Sequence, residues 1–154
     1  MTLNFDFIGP INNDNVLCLR DYIARQTKPI EHLTINISSL GGATASGITI
    51  YNYLKRQPFH ITTHNLGEVS SSAILLYLAG ASRSTEAISK FMIHPVQING
   101  GNDLPYHKVE ELLKIVDTDI KNYAEIVNKE TNSLNGKFDI DSCLREPLIK
   151  SSKQ

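Results

Sequence analysis

The chain has 154 residues, the size of one domain with room for a single sizeable core. Hydrophobic residues make up 41% and charged residues 20%, a globular rather than a disordered composition. With 15 basic against 16 acidic residues the net charge is −1, so no basic face is implied and nucleic acid is excluded as an expected partner.

Met1-Thr2-Leu3-Asn4-Phe5-Asp6 lacks the basic start and long apolar run of a signal peptide, and no stretch approaches the ~20 apolar residues of a membrane span. Cys18 and Cys143 lie far apart and form no metal-type pair. A reduced, cytoplasmic setting is expected, with both cysteines packed as small hydrophobes.

Leu3 to Ile8 alternates apolar Leu3, Phe5 and Phe7 with polar partners and predicts a first strand, ended by Gly9-Pro10. Asn12 or Asn13 then caps a helix with Val16, Leu17, Leu19, Ile23 and Ala24 on one face, stopped by Lys28-Pro29. Leu33 to Ile37 is a second strand, followed by Ser38-Ser39-Leu40-Gly41-Gly42. Ala43 to Arg56 has helical spacing, with Ala45, Ile48, Tyr51 (or Ile50) and Leu54 inward. Phe59 to Leu66 is a third strand. Gly67 to Gly80 then reads as a turn with three consecutive serines leading into a helix-length apolar run. The order β-α-β-α-β-α argues for a parallel sheet with right-handed crossovers.

Further on, Ser84 to Ile88 is a candidate short strand, and Lys90 to Pro95 a compact apolar strand ending on His94. Gln97 to Asn102 is a flexible connection. A long helix is expected from Leu104 to about Glu130, with Pro105 in its first turn. Phe138 to Leu144 forms a candidate short helix. No internal repeat or low-complexity linker interrupts the chain, so residues 1–154 are expected to form a single domain.

Two glycine-bearing turns follow successive strands, at Gly41-Gly42 and at Gly67 to Ser72. In a parallel sheet both emerge at the carboxyl edge, where ligands usually bind. A serine there can act as a nucleophile whose oxyanion meets backbone N–H groups; the alternative is that the serines only cap a buried helix. Gly-Gly permits close approach to the backbone, or serves as a plain tight turn. Neither G-x-G-x-x-G nor G-x-x-x-x-G-K-[ST] occurs, so a phosphate loop is unsupported. His60 and His64 tempt as a metal pair, but four residues along a strand span roughly 13 Å, too far for one ion with ligand bonds of ~2.0–2.1 Å. No metal and no cofactor is expected. His32 and His107 read as solvated. His94, at a strand end beside Pro95, is either structural or part of the same edge.

Three motifs, in order and at similar spacings, resemble those of the Clp-type serine peptidases. Ser39-Leu40-Gly41-Gly42 resembles the family's S-P-G-G oxyanion turn. Gly67-Glu68-Val69-Ser70-Ser71-Ser72-Ala73 resembles G-x-x-A-S-x-G/A, and Phe91-Met92-Ile93-His94-Pro95 the strand that delivers the base. The likeness runs from Phe5 to Ser151. It implies an α/β, ClpP/crotonase-like fold of repeated ββα/βαβ units, with a mostly parallel sheet and a long protruding oligomerisation helix. It also implies a serine endopeptidase in which Ser71 is the nucleophile, His94 the general base, and Gly42 and Ser72 the oxyanion-hole donors. Glu146 is the nearest match for the third triad member, with Asp139 and Asp141 as alternates. The implied partners are a peptide or unfolded protein substrate, other copies in a homo-oligomeric ring, and an ATP-driven unfoldase.

The departures are Leu40 for proline, Ala73 for glycine and a glutamate for the usual aspartate. The N-terminus is short for the axial loops that contact an unfoldase. The chain stops at Ser151-Ser152-Lys153-Gln154, where the family usually adds a helix and a strand. Two other readings stay open: a catalytically inactive assembly subunit, and a crotonase-type acyl-CoA enzyme with Glu68 as the acid beside the hole.

Overall fold

The computed structural model describes residues 1–96, 103–131 and, for the backbone alone, 148–151. These residues fall into two compact units, Met1–Ile93 with Leu148–Gln154, and His94–Pro147.

The first unit begins as expected, with β1 (Thr2–Ile8), α1 (Asn13–Ala24), β2 (His32–Ser39), α2 (Thr44–Lys55) and β3 (His60–Ser70). It continues with α3 (Ala73–Leu78), β4 (Ser82–Thr85) and β5 (Lys90–Ile93), and β6 (Leu148–Ser151) completes it. The strand order is β1-β2-β3-β5-β6, with β4 also paired to β3. The pairings β1–β2, β2–β3, β3–β4 and β3–β5 are parallel, and β5–β6 is antiparallel. This mixed α/β fold with a mostly parallel sheet is the one the motifs imply.

Alternation fixes the faces of the strands. Leu33, Ile35 and Ile37 of β2 are fully buried, and Ile61, Thr63 and Asn65 of β3 lie in the same layer. Thr63 Oγ1 donates to the Tyr77 carbonyl at 2.7 Å, which ties this face to α3. The alternate residues carry polar contacts from strand to strand. Asn36 Nδ2 donates to Asp6 at 2.7 Å, His32 Nε2 lies 2.9 Å from Thr62 Oγ1, and His60 Nε2 lies 2.9 Å from Ser82 Oγ. His64 meets Ser84 at 2.8 Å and Glu86 at 3.1 Å.

Several expectations shift. α1 starts on its Asn12 cap, which accepts from the Asn15 N–H at 2.9 Å, and buries Val16, Leu19 and Ile23. Leu17 and Cys18, however, face outward, because they sit off the i, i+3, i+7 stripe. α2 buries Ser46, Gly47, Ile50, Tyr51 and Leu54 while Ala45 is exposed. The reason is contact with the start of α3: a Cβ on Gly47 would lie 3.0 Å from the Ser72 carbonyl oxygen. Gly47 and the adjacent Ser46 therefore turn inward, and Ala45 does not. The third strand runs on through Gly67 to Ser70, so Gly67 is not a turn and α3 is only six residues long. A register shift opposite Ile37 and Ser39 absorbs the extra length, and the Asn65 side chain accepts the Gly67 N–H at 2.9 Å.

The short strand expected at Ser84 to Ile88 starts two residues earlier and ends at Thr85. The helix expected at Phe138 to Leu144 lies outside the described residues. The described residues of the second unit belong mostly to α4 (Tyr106–Thr131), 26 residues, begun by N–H groups of Lys108 and Val109 that donate to the Pro105 carbonyl. Near its end Ala124, Ile126 and Val127 are buried, whereas Val109 and Leu113 near its start are exposed. No helix among the described residues is long and apolar enough to cross a membrane.

Candidate active site

The site is built where β3 leaves the sheet. Ser70 ends β3, Ser72 caps α3, and Ser71 between them has φ +53. A residue with a side chain seldom adopts the left-handed region, and strain of this kind persists only where the surroundings over-determine it. Several of those surroundings are visible. The Ser71 N–H donates to the Met92 carbonyl on β5 at 2.7 Å. The Ser71 carbonyl accepts from the Ile74 N–H at 3.0 Å, inside the first turn of α3. Ser72 does not act as a side-chain cap: its hydroxyl is buried without a hydrogen bond to any described residue.

The second turn lies directly against the first. Gly41 is buried, with φ +93, and a Cβ on it would sit 2.6 Å from Ser71 Cβ, 2.7 Å from the Ser70 carbonyl oxygen and 3.1 Å from the Ser72 N–H nitrogen. Only a glycine permits that approach. Ser39 Oγ accepts the Gly41 N–H at 3.1 Å, and the Gly41 carbonyl accepts the Ile11 N–H at 2.9 Å. Gly42, φ +153, abuts Ile11 instead, its Cβ position falling on the Ile11 carbonyl oxygen. The backbone N–H groups of Gly42 and Ser72 have no hydrogen bond to any described residue.

Beside Gly41 opens a cleft of about 370 Å³, lined by Gly9, Pro10, Ser38, Ser39, Leu40, Gly41 and Glu68. Glu68 Oε1 accepts from Ser70 Oγ at 2.7 Å, and its Oε2 pairs with Lys90 Nζ at 3.0 Å. Burial pushes the Glu68 pKa up, but the hydrogen bonds from Ser70 and Lys90 and the Lys90 charge outweigh it. The carboxyl is therefore held below its ordinary value.

His94 is the residue after the end of β5 and opens the second unit. Its Nδ1 lies 2.8 Å from the Pro95 carbonyl oxygen. A carbonyl can only accept, so this contact places the proton on Nδ1 and leaves Nε2 as the basic nitrogen of the neutral ring. Glu146, Asp139 and Asp141 lie outside the described residues. Within the first unit the structure brings Ser71 and Ser72 against the Gly41 turn. It also reveals Glu68, Ser70 and Lys90 as a cluster that sequence reasoning did not assemble. Their signal was the same-face spacing of Glu68 and Ser70, legible only once that stretch is known to be strand.

The Clp protease family model matches residues 14–146. This chain belongs to the Clp protease family. Among curated proteins it is similar to the ATP-dependent Clp protease proteolytic subunit 1 of Corynebacterium jeikeium (strain K411), 28% identical over 93 residues. That alignment covers 57% of this chain and 50% of the relative, so the match spans about half the length of the curated protein. The matched segment contains both Ser71, in the left-handed strand-to-helix turn, and the Gly41 turn packed on it.

Proposed function

We propose that this chain is a serine endopeptidase of the Clp proteolytic-subunit type, acting on peptides or unfolded protein. The observation that carries the proposal is Ser71 held at φ +53 against the bare backbone of Gly41. In this reading His94 Nε2 takes the Ser71 hydroxyl proton as Ser71 Oγ bonds to the scissile carbonyl carbon. The N–H groups of Gly42 and Ser72 receive the resulting oxyanion. Collapse breaks the C–N bond, and the leaving amine takes the proton from His94. Water, deprotonated by His94, then cleaves the acyl-serine ester and frees Ser71. Glu146, with Asp139 and Asp141 as alternates, is assigned to steady the imidazolium. The Pro95 carbonyl already supports the required tautomer.

The family also supports a homo-oligomeric ring. Val109 and Leu113, exposed four residues apart on α4, offer an apolar stripe for a second copy. The test of the catalytic reading is labelling with a fluorophosphonate. The folded protein should be modified at Ser71 alone, Ser71→Ala should not be modified, and His94→Ala should react far more slowly. A folded wild-type protein with no labelled serine refutes the proposal and leaves the inactive assembly subunit as the better reading.

A further inference from the structure

The turn that holds Ser71 is anchored by few strand pairs. β3 pairs first with β4, over Thr62 to Asn65, and then, past the register shift, with β5 through only Glu68↔Lys90, Val69↔Phe91 and Ser70↔Met92. Three further contacts pin this short ladder. Asn65 Nδ2 donates to the Lys90 carbonyl at 3.0 Å, Lys90 Nζ meets Glu68 Oε2 at 3.0 Å, and the Ser71 N–H meets the Met92 carbonyl at 2.7 Å. The fully buried Ser70 hydroxyl adds a 2.7 Å bond to the other Glu68 oxygen. Ser71 follows directly from one strand of this ladder, and His94 follows Ile93 at the end of the other.

We propose that Glu68, Lys90 and Ser70 form a positioning clamp that sets the β3–β5 register from which the nucleophile and the base-bearing chain both depart. The inference rests on the peptidase reading above. The clamp touches no reacting atom; it acts through Ser71. Glu68 and Lys90 stand opposite each other at the entrance to the ladder, three residues before Ser71 and four before His94. Lys90 is half-exposed, and an ion pair of that kind adds little to global stability. Its loss is therefore read in the position of the turn rather than in melting. Because displacement by 1 Å costs a reacting group about 10²-fold, a partial loosening should lower the rate by ~10-fold.

The experiment uses the full chain with Glu68→Gln, Lys90→Met, Lys90→Arg and the exchanged pair Glu68→Lys with Lys90→Glu. Glu68→Gln and Lys90→Met should lower kcat and the fluorophosphonate labelling rate while KM holds and the melting temperature falls only slightly. Lys90→Arg should keep the rate, and the exchanged pair should recover part of it. Wild-type kcat in both single variants overturns the clamp. So does a loss that tracks melting temperature and is not rescued by Lys90→Arg, which marks a purely structural role. A folded wild-type protein that is never labelled refutes the peptidase reading instead. Amide exchange at Ser71 then judges the clamp by itself: faster exchange in Glu68→Gln and Lys90→Met supports it, and unchanged exchange overturns it.

Discussion

Gly41→Ala tests the contact on which the functional reading depends. The added Cβ would lie 2.6 Å from Ser71 Cβ and 2.7 Å from the Ser70 carbonyl oxygen. Carbon atoms in ordinary contact sit ~3.5–4.0 Å apart, so one of the two turns must retreat by about 1 Å. Neither neighbour is the free end of a flexible side chain. Ser71 Cβ is the root of the nucleophile's side chain, and Ser70 O belongs to the backbone. Alanine is also strained at φ +93, and each effect costs about 1–3 kcal/mol.

The variant should therefore melt at a lower temperature. Its folded fraction should react with a fluorophosphonate about 10²-fold more slowly, as expected for a reacting group moved by 1 Å. Scanning calorimetry gives the stability, and the second-order labelling rate, corrected for folded protein, gives the chemistry. Gly42→Ala is the comparison, because its Cβ would strike the Ile11 carbonyl oxygen and load the β1–α1 connection instead. A folded Gly41→Ala protein labelled at the wild-type rate would refute the reasoning, since the two turns could not then be in the contact described.

Other substitutions probe single features of the same region. Gly67→Ala should be tolerated and stabilise by about 0.4–1 kcal/mol in urea unfolding, because nothing lies within 4 Å of its Cβ position and its φ is not positive. Ser72→Ala should keep the labelling rate, since the backbone N–H survives. By removing a buried hydroxyl with no described partner it should be neutral or stabilising by ~1 kcal/mol in the same assay. The Glu68 carboxyl gives a pH signature. Its folded pKa lies below the ordinary 4.5, so the unfolded chain binds the proton more readily, and stability is full above 4.5 and lost as pH falls through the folded value. Calorimetry of Glu68→Gln across that acid range should show a flatter loss of stability than wild type; an equal slope would assign the acid sensitivity elsewhere.

The order of strands and helices in the first unit was legible because each element carries its own periodicity and its own stop signal. β1 and β2 alternate, and Pro29 and Pro58 follow the two helices. Gly67 misled because an isolated glycine after a strand is a general breaker signal, whereas here Asn65 secures its N–H and pairing resumes at Glu68 with β5 and at Val69 with β2. The inward face of α2 was misread for a related reason. Hydrophobicity points to Ala45 and Ile48, but close packing on α3 is decided by the absence of side-chain bulk at Gly47. The Glu68–Lys90 pair is 22 positions apart in sequence. Its existence follows from which strand lies beside β3, and no local pattern encodes that. β6 is antiparallel and four residues long, too short for alternation to announce it. The crowded turn at Ser70 to Ser72 was legible, by contrast, because small residues in a fixed order are what such a turn demands, whereas the role of Ser71 came only from the family resemblance.

Why a serine stands at 71 can be asked of stability alone. A chain that needed only to reverse direction there would be better served by glycine, which enters the left-handed region without the ~1–2 kcal/mol that a Cβ adds. Ser71 keeps a side chain at φ +53 nonetheless, and the adjoining turn supplies the glycine at Gly41 that makes room for it. The side chain thus stands against a conformational cost, an observation that supports the chemical role proposed for Ser71. Comparing Ser71→Gly with Ser71→Ala isolates this cost, because both remove the hydroxyl and only alanine keeps the Cβ. Both should abolish labelling, and the glycine variant should be the more stable in urea unfolding by about 1 kcal/mol, after allowing ~0.4–1 kcal/mol for the greater freedom of glycine in the unfolded chain. If alanine proved the more stable, Ser71 would not occupy the left-handed turn in solution, and the case for a poised nucleophile would fall with it.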